Sequence, residues 1–194
     1  MSKSEEYKGY VYEIHVDTDP PNPGDWDNLG EIAYLLRSRH VLGTKAVSDA
    51  EMREIHEGLL SGRYIGLDVY AYVHSGVTIR AASRNPFTCP WDSGQSGFVY
   101  VETSKALKEY GRKRMSPKLK AQVQEVLRRE VETFDQYMRG DVYFYAVRRN
   151  GDIIDTCSGI FGLDEAEKQA KEFIDAEDKA ENERIANMQQ QLPI

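Results

Sequence analysis

The chain has 194 residues, of which 40% are hydrophobic and 29% are charged, and its formal net charge at pH 7 is −7. This composition is typical of a soluble globular protein and argues against a disordered chain or a membrane-spanning bundle. The polar start, residues 1–6, predicts neither a signal peptide nor a transit peptide, so the expected location is the cytoplasm. Cys89 and Cys157 lack CxxC spacing, and two free thiols are expected.

The length favours one domain. We predict a single α+β domain over residues 1–176, and residues 177–194 are expected to form either an extension of the C-terminal helix or a frayed tail. The predicted fold is an antiparallel sheet with helices packed on it, a helical pair inserted after the first strand, and a charged C-terminal helix.

The N-terminal third predicts one strand followed by two helices. Residues 9–16 alternate in polarity as a half-buried strand does, and a proline-rich loop covers residues 17–27. Helical spacing of apolar residues begins after Asn28, and Ser48 with Glu51 forms a capping box for a second helix.

The rest of the chain predicts an antiparallel meander, two helices, a hairpin and a terminal helix. Asn-Gly at residues 150–151 suits the two positive-φ positions of a type I′ turn. In chain order, the elements are strands 64–73, 77–79 and 98–101, helices 105–110 and 117–139, a hairpin over 142–154, and a helix from Leu163.

Charge is distributed unevenly along the sequence. Residues 105–129 hold nine Lys and Arg against Glu109 and Glu125, whereas residues 164–183 are mostly acidic. A basic segment can contact phosphates. A solvated helix face that offsets the acidic end is the favoured interpretation, and direct nucleic-acid binding is not favoured.

Several motifs occur in order across most of the chain. They are WDNLG at residues 26–30, Arg39-His40 with Leu42-Gly43, HSG at 74–76, CPWDSGQSGFVYV at 89–101, and ETFDQYMRG at 132–140. Together they resemble a family of uncharacterised proteins encoded by phages, prophages and conjugative elements, although Thr44 stands where the family pattern has Asp. The resemblance implies a small intracellular accessory protein that acts on host defence or nucleic-acid machinery, and it implies no particular activity.

One candidate site is a divalent-metal site in the proline-rich loop. Asp17, Asp19, Asp25 and Asp27 supply the oxygen ligands that Ca²⁺ and Mg²⁺ prefer. The loop lacks the 12-residue ligand register, and its prolines restrict convergence of the carboxylates. Hydrogen bonding to the local backbone is therefore favoured, and no cofactor is predicted.

A second candidate is a nucleophilic thiol. Cys89 would be the nucleophile, His74 the base, and Asp92 or Asp68 the residue that orients it. No signature of a known thiol enzyme surrounds Cys89, and a small buried hydrophobic residue is the favoured interpretation.

A third candidate is a partner-binding surface built from two tryptophans and their polar neighbours. Indoles rimmed by carboxylates and amides are typical of protein interfaces. The alternative is that both tryptophans close the mouth of the core. The candidate residues are Trp26, Asp27, Asn28, Trp91, Asp92, Ser93 and Gln95.

These observations favour a non-enzymatic protein of a phage or mobile element. It is expected to bind a host protein or nucleoprotein complex in the host cytoplasm, as a stoichiometric inhibitor of an anti-CRISPR or anti-restriction type. The alternative is a small metal- or thiol-dependent enzyme that uses the loop of residues 17–27 and His74, Cys89 and Asp92. A homodimer through the C-terminal helix is a further hypothesis, and no membrane interaction is expected.

Overall fold

The computed structural model describes residues 2–190 and divides into two compact units. The terminal unit comprises the described residues up to 21 and from 140 onward, and the central unit comprises residues 22–139. The sequence predicted one domain through residue 176, whereas each unit has its own sheet and its own buried cluster. The α+β fold, with antiparallel strands and packed helices, is confirmed.

Nine strands and four helices are found in residues 2–190. The strands are β1 (Ser2–Tyr7), β2 (Tyr10–Val16), β3 (Glu31–Leu35), β4 (Lys45–Val47), β5 (Tyr64–Val73), β6 (Val77–Ala82), β7 (Ser93–Glu102), β8 (Val142–Arg149) and β9 (Asp152–Phe161). The helices are α1 (Asp49–Ser61), α2 (Thr103–Glu109), α3 (Pro117–Arg139) and α4 (Leu163–Gln190), and a 3₁₀ turn covers Pro23–Asp25.

The terminal unit is an antiparallel sheet in the order β1-β2-β8-β9, with α4 packed on one face. The small residues Ala166 and Ala170 let α4 approach the sheet, where they lie in one buried cluster with Tyr12 and Ile14. The predicted inward face of β2 is thus confirmed at these two positions. β1 was not predicted, because its polar sequence shows no apolar alternation and it pairs with β2 through the backbone.

The predicted hairpin and terminal helix are both confirmed. Asn150 and Gly151 adopt φ values of 53° and 92°, as a type I′ turn requires. α4 runs without interruption beyond residue 176. Within the described residues, no helix is long and apolar enough to cross a membrane.

The central unit is a five-stranded sheet covered on both faces. Its order is β4-β3-β7-β5-β6, in which only the β3–β4 pair is parallel. Along the central strand β7, Val99 and Val101 face the cluster that contains α2 and α3, whereas Phe98 and Tyr100 face α1. The predicted meander is wrong in its order, because β7 lies between β3 and β5.

The first helix of the predicted helical pair is wrong, since β3 occupies that segment. Ile32 and Ala33 are both buried, one in the cluster with α3 and the other in the cluster with α1. A strand buried on both faces has a continuous apolar run, whose spacing also fits a helix. Only the second helix of the pair exists, as α1, with its capping box at Ser48 and Glu51.

A fully buried carboxylate, Asp135, joins α3 to the edge strand β6. Asp135 Oδ1 accepts hydrogen bonds from Thr78 Oγ1 at 2.6 Å and from the Ile79 amide at 2.8 Å. Its Oδ2 accepts from Arg80 Nη1 at 2.8 Å and from Arg139 Nε at 3.0 Å. The two guanidinium groups and two neutral donors together compensate the cost of burying the charge.

We expect Asp135→Ala to lower the free energy of unfolding by about 3 to 5 kcal/mol, because it leaves the donors on β6 without their acceptor. Urea unfolding followed by circular dichroism measures this loss. The matched control is Glu132→Ala, an exposed position on the same helix, which should stay within about 0.5 kcal/mol of wild type. Equal losses for both variants would contradict a special role for Asp135.

In the terminal unit, Glu167 of α4 ties the helix to the first two strands. Its carboxylate accepts hydrogen bonds from Lys171 Nζ at 2.6 Å and from the Tyr12 hydroxyl at 3.1 Å, and it pairs with Lys3. The hydrogen bonds from Lys171 and Lys3 lower the pKa of Glu167 from 4.5 to about 2. The ionised form is therefore the form that stabilises the unit.

The depressed pKa of Glu167 predicts a stability loss at acidic pH. Its contribution is present above pH 4.5, the ordinary pKa, and disappears as pH falls toward about 2. The difference in unfolding free energy between wild type and Glu167→Gln should thus shrink over this range. Glu183→Gln, at an exposed position of the same helix, should show no such convergence in urea unfolding at the same pH values.

Candidate functional site

The loop between β6 and β7, residues 83–92, presents the most exposed aromatic side chain among the large hydrophobic residues that the structure describes. We call it the Trp91 loop. Trp91 is 92% exposed, compared with 46% for Trp26. A large aromatic side chain that lies in solvent is available to a partner, and tryptophan is enriched at protein interfaces, so this loop is the leading candidate for a binding surface.

Short-range hydrogen bonds fix one half of the Trp91 loop. Asn85 Nδ2 donates to Ser93 Oγ at 3.0 Å, and Ser93 Oγ donates to the Cys89 carbonyl at 2.6 Å. The side-chain oxygen of Asn85 accepts the Phe87 amide at 3.0 Å. Ser93, predicted to contact a partner, is therefore engaged in holding the loop.

Asp92 fixes the other half of the loop to the end of β5. Its carbonyl accepts the Val73 amide at 2.8 Å. Its Oδ2 lies 3.3 Å from His74 Nδ1 and accepts a hydrogen bond from Cys89 Sγ at 3.4 Å. The structure thus brings together the three predicted catalytic residues, His74, Cys89 and Asp92, around one carboxylate oxygen.

The order of the three side chains differs from the one predicted for a nucleophilic thiol. The prediction required imidazole next to thiol, but both His74 and Cys89 contact the intervening Asp92. The Cys89 thiol donates its hydrogen bond to this carboxylate, so the geometry does not show the thiol–imidazole contact that the predicted nucleophile requires. The contacts of Asp92 with His74 and Cys89 hold the Trp91 loop against the end of β5.

Asp68, the other predicted orienting residue, lies on β5 and has different neighbours. It accepts hydrogen bonds from Gln95 Nε2 at 3.2 Å and from the Tyr70 hydroxyl at 3.5 Å. Asp68 and Gln95 line a recess of about 400 Å³, together with Arg53 and His56 of α1. Gln95 therefore lines this recess beside α1, whereas the sequence analysis had placed it on the surface that contains the tryptophans.

Trp26 lines a second recess, of about 180 Å³, that contains no residue of the Trp91 loop. The segment after Trp26 is held by Glu130 of α3, which accepts the Leu29 amide at 2.7 Å and the Gly30 amide at 3.1 Å. Burial raises the pKa of Glu130, although the two backbone donors oppose that shift. Asn28 donates to the Pro23 carbonyl at 2.7 Å, so its amide stabilises its own loop.

The four aspartates of the predicted metal loop fall in different units. Asp17, in the terminal unit, accepts the amides of Asp19 and Gly159 at 3.1 and 3.0 Å. Asp25 and Asp27 are exposed residues of the central unit. Across residues 2–190, no group of three or more His, Cys, Asp or Glu side chains is arranged to hold a metal ion.

No protein-family model, curated protein or solved structure matches this chain. The function therefore has to be argued from the geometry of the surfaces themselves.

Sequence reasoning missed Glu130 and the internal hydrogen bonds of the Trp91 loop for different reasons. Glu130 lies about 100 positions from its partner amides, and an exposed-looking Glu within a helix carries no sign of them. The loop offered a usable signal, because Asn, Asp and Ser close to proline commonly bond their neighbouring backbone.

The difference in exposure between the two indoles can be tested by fluorescence. Trp26→Phe leaves Trp91 as the only tryptophan, and Trp91→Phe leaves Trp26. Because Trp91 is 92% and Trp26 46% exposed, acrylamide should quench the Trp26→Phe variant more strongly, and that variant should emit at longer wavelength. Equal quenching constants would show that Trp91 is packed in solution.

Proposed function

We propose that this protein is a non-enzymatic binding protein that docks a protein partner through the Trp91 loop. The observation that carries the proposal is the 92% exposure of Trp91 on a loop whose neighbouring polar groups are engaged within the loop and with β5. Tryptophan is enriched among the residues that dominate protein interfaces, because one rigid side chain buries a large area.

The internal hydrogen bonds of the loop support this proposal energetically. A partner that binds a flexible loop must compensate for its lost conformational freedom. Here Asn85, Ser93 and Asp92 already hold the loop in one arrangement before any partner arrives. Binding energy gained by burying Trp91 is then available for affinity.

The class of partner follows from the resemblance to proteins of phages, prophages and conjugative elements. Accessory proteins of such elements act on the machinery of the host cell. We infer that the partner is a host protein or nucleoprotein complex of the defence type, and that binding inhibits it stoichiometrically. This inference rests on the resemblance, whereas the binding surface rests on Trp91.

The test is a tagged pull-down from infected host cells with wild type and Trp91→Ala. If Trp91 is the anchor, the substitution should weaken the complex by about 2 kcal/mol or more, which is roughly a 30-fold increase in Kd. Leu60→Ala is the matched control, since Leu60 is 76% exposed on α1 and is not part of the loop. Leu60→Ala should retain the complex.

Two outcomes would contradict the proposal. One is the absence of any stoichiometric partner for wild type, combined with unchanged phage plating on defence-bearing strains. The other is a partner that Trp91→Ala retains at wild-type yield. Trp91→Ala should keep the thermal stability of wild type, because the side chain is almost entirely solvated, so misfolding is checked by a melting curve.

The second candidate function is a thiol-dependent enzyme, which is motivated by the proximity of Cys89 and His74 to one oxygen of Asp92. For such an enzyme a shift of Asp92 would have to bring the imidazole to the thiol. Cys89→Ser and His74→Ala separate the two candidates. Full biological effect in both variants excludes the enzyme, whereas loss in both with intact partner binding would replace the first proposal.

A further inference from the structure

Six Lys and Arg side chains between residues 108 and 120 are exposed, and none of them forms an ion pair with any residue in the described range 2–190. Between residues 105 and 120, Glu109 is the only acidic residue. We call these six side chains the basic patch. They are Lys108, Arg112, Lys113, Arg114, Lys118 and Lys120.

Most other cations of the chain are neutralised by nearby carboxylates. Arg128 and Arg129, eight and nine residues beyond Lys120, both pair with Glu125. Lys45 lies 2.7 Å from Glu31 on the same unit. The patch is therefore a local departure from how this protein arranges its charges.

The two units also differ in net charge. The central unit carries 17 Lys and Arg against 15 Asp and Glu, whereas the terminal unit carries 8 against 17. Thus the unit that contains the patch is positive by 2 and the other unit is negative by 9. The acidity of the whole chain, which argued against a polyanionic partner, belongs to the terminal unit.

Three cations of the patch converge on a recess of about 360 Å³. Arg112, Arg114 and Lys118 line it, and its remaining lining residues are Ser116, Leu119 and Gln122. No carboxylate lines this recess. Clustered cations without a carboxylate create a positive potential, which attracts anions to the recess.

The chemistry of the patch fits phosphate better than a protein surface. Protein interfaces are depleted in Lys and centre on a buried apolar or aromatic anchor. None of the large hydrophobic side chains that are exposed in the described residues lies between positions 105 and 122. Guanidinium groups and ammonium groups are the usual donors to nucleic-acid phosphates.

We propose that the basic patch binds the phosphate backbone of a nucleic acid without reading its sequence. Arg112, Arg114 and Lys118 supply the principal phosphate contacts in the recess, and the other three cations extend the attraction along the strand. This site does not depend on the Trp91 loop, and either proposal can fail without the other.

The test is fluorescence anisotropy with a labelled DNA duplex of about 20 base pairs and random sequence, titrated at several salt concentrations. Three phosphate contacts predict a slope of log K against log salt of about −2.7. Affinity should accordingly fall roughly 40-fold between about 50 and 200 mM salt. Changing the duplex sequence should leave the affinity unchanged.

The triple variant Arg112→Gln, Arg114→Gln, Lys118→Gln should lose at least about tenfold in affinity and most of the salt dependence. The matched control is Arg39→Gln, Arg53→Gln, Lys179→Gln. It removes the same charge from three exposed cations outside the patch that have no ion pair within the described chain. The control should bind as wild type does.

Three results would overturn the proposal. They are no binding at about 50 mM salt, an equal loss in the two triple variants, and displacement of DNA by polyglutamate of equal charge as effectively as by unlabelled DNA. The second result would indicate a general charge effect, and the third would indicate an acidic protein partner. Trp91→Ala should bind DNA normally, which separates this test from the pull-down.

Discussion

The buried carboxylate of Asp135 is the interaction on which the central unit depends. β6 is an edge strand with a neighbour on one side only, and such a strand is free to fray or to pair elsewhere. Asp135 accepts two donors from β6 and one from Arg139 on its own helix, α3, and Arg80 adds a fourth contact from β6. Because β6 leads directly into the Trp91 loop, the same carboxylate sets one end of the candidate binding surface.

The close approach of the β7 backbone to the β3 backbone is the second constraint. It explains why β3 was not predicted as a strand. A Cβ at Gly97 would lie 1.9 Å from the Ala33 carbonyl, so only glycine lets β7 and β3 come this close. With β7 against it, β3 is buried on both faces, and its Ile32-Ala33 run loses the alternation that identifies a strand. The helix predicted there was wrong because the spacing of apolar residues does not show whether a segment is buried on one face or on both.

Elements defined by local chemistry were predictable from the sequence. The Asn150-Gly151 turn needs two residues with positive φ, and the α1 capping box needs Ser48 and Glu51 three positions apart. Each of these requirements is met within a few residues. By contrast, the hydrogen bonds from β6 to Asp135 and the ion pair between Glu167 and Lys3 of β1 join residues more than 50 positions apart, which no local pattern encodes.

The same division applies to the candidate site. Proline, Asn, Asp and Ser residues predicted a loop before β7. The sequence also grouped His74, Cys89 and Asp92, but with the imidazole next to the thiol, whereas both side chains contact Asp92. Ser93 and Asp92 form hydrogen bonds that hold the loop itself. Asp135 of the ETFDQY motif is buried beneath the sheet. Motif residues of this chain thus largely build the support, which leaves Trp91 as the member of the CPWDSGQ motif with almost its whole side chain in solvent. An exposed aromatic side chain on a loop that the fold holds in place is the arrangement that a preorganised binding surface requires, and it supports the proposed contact with a partner.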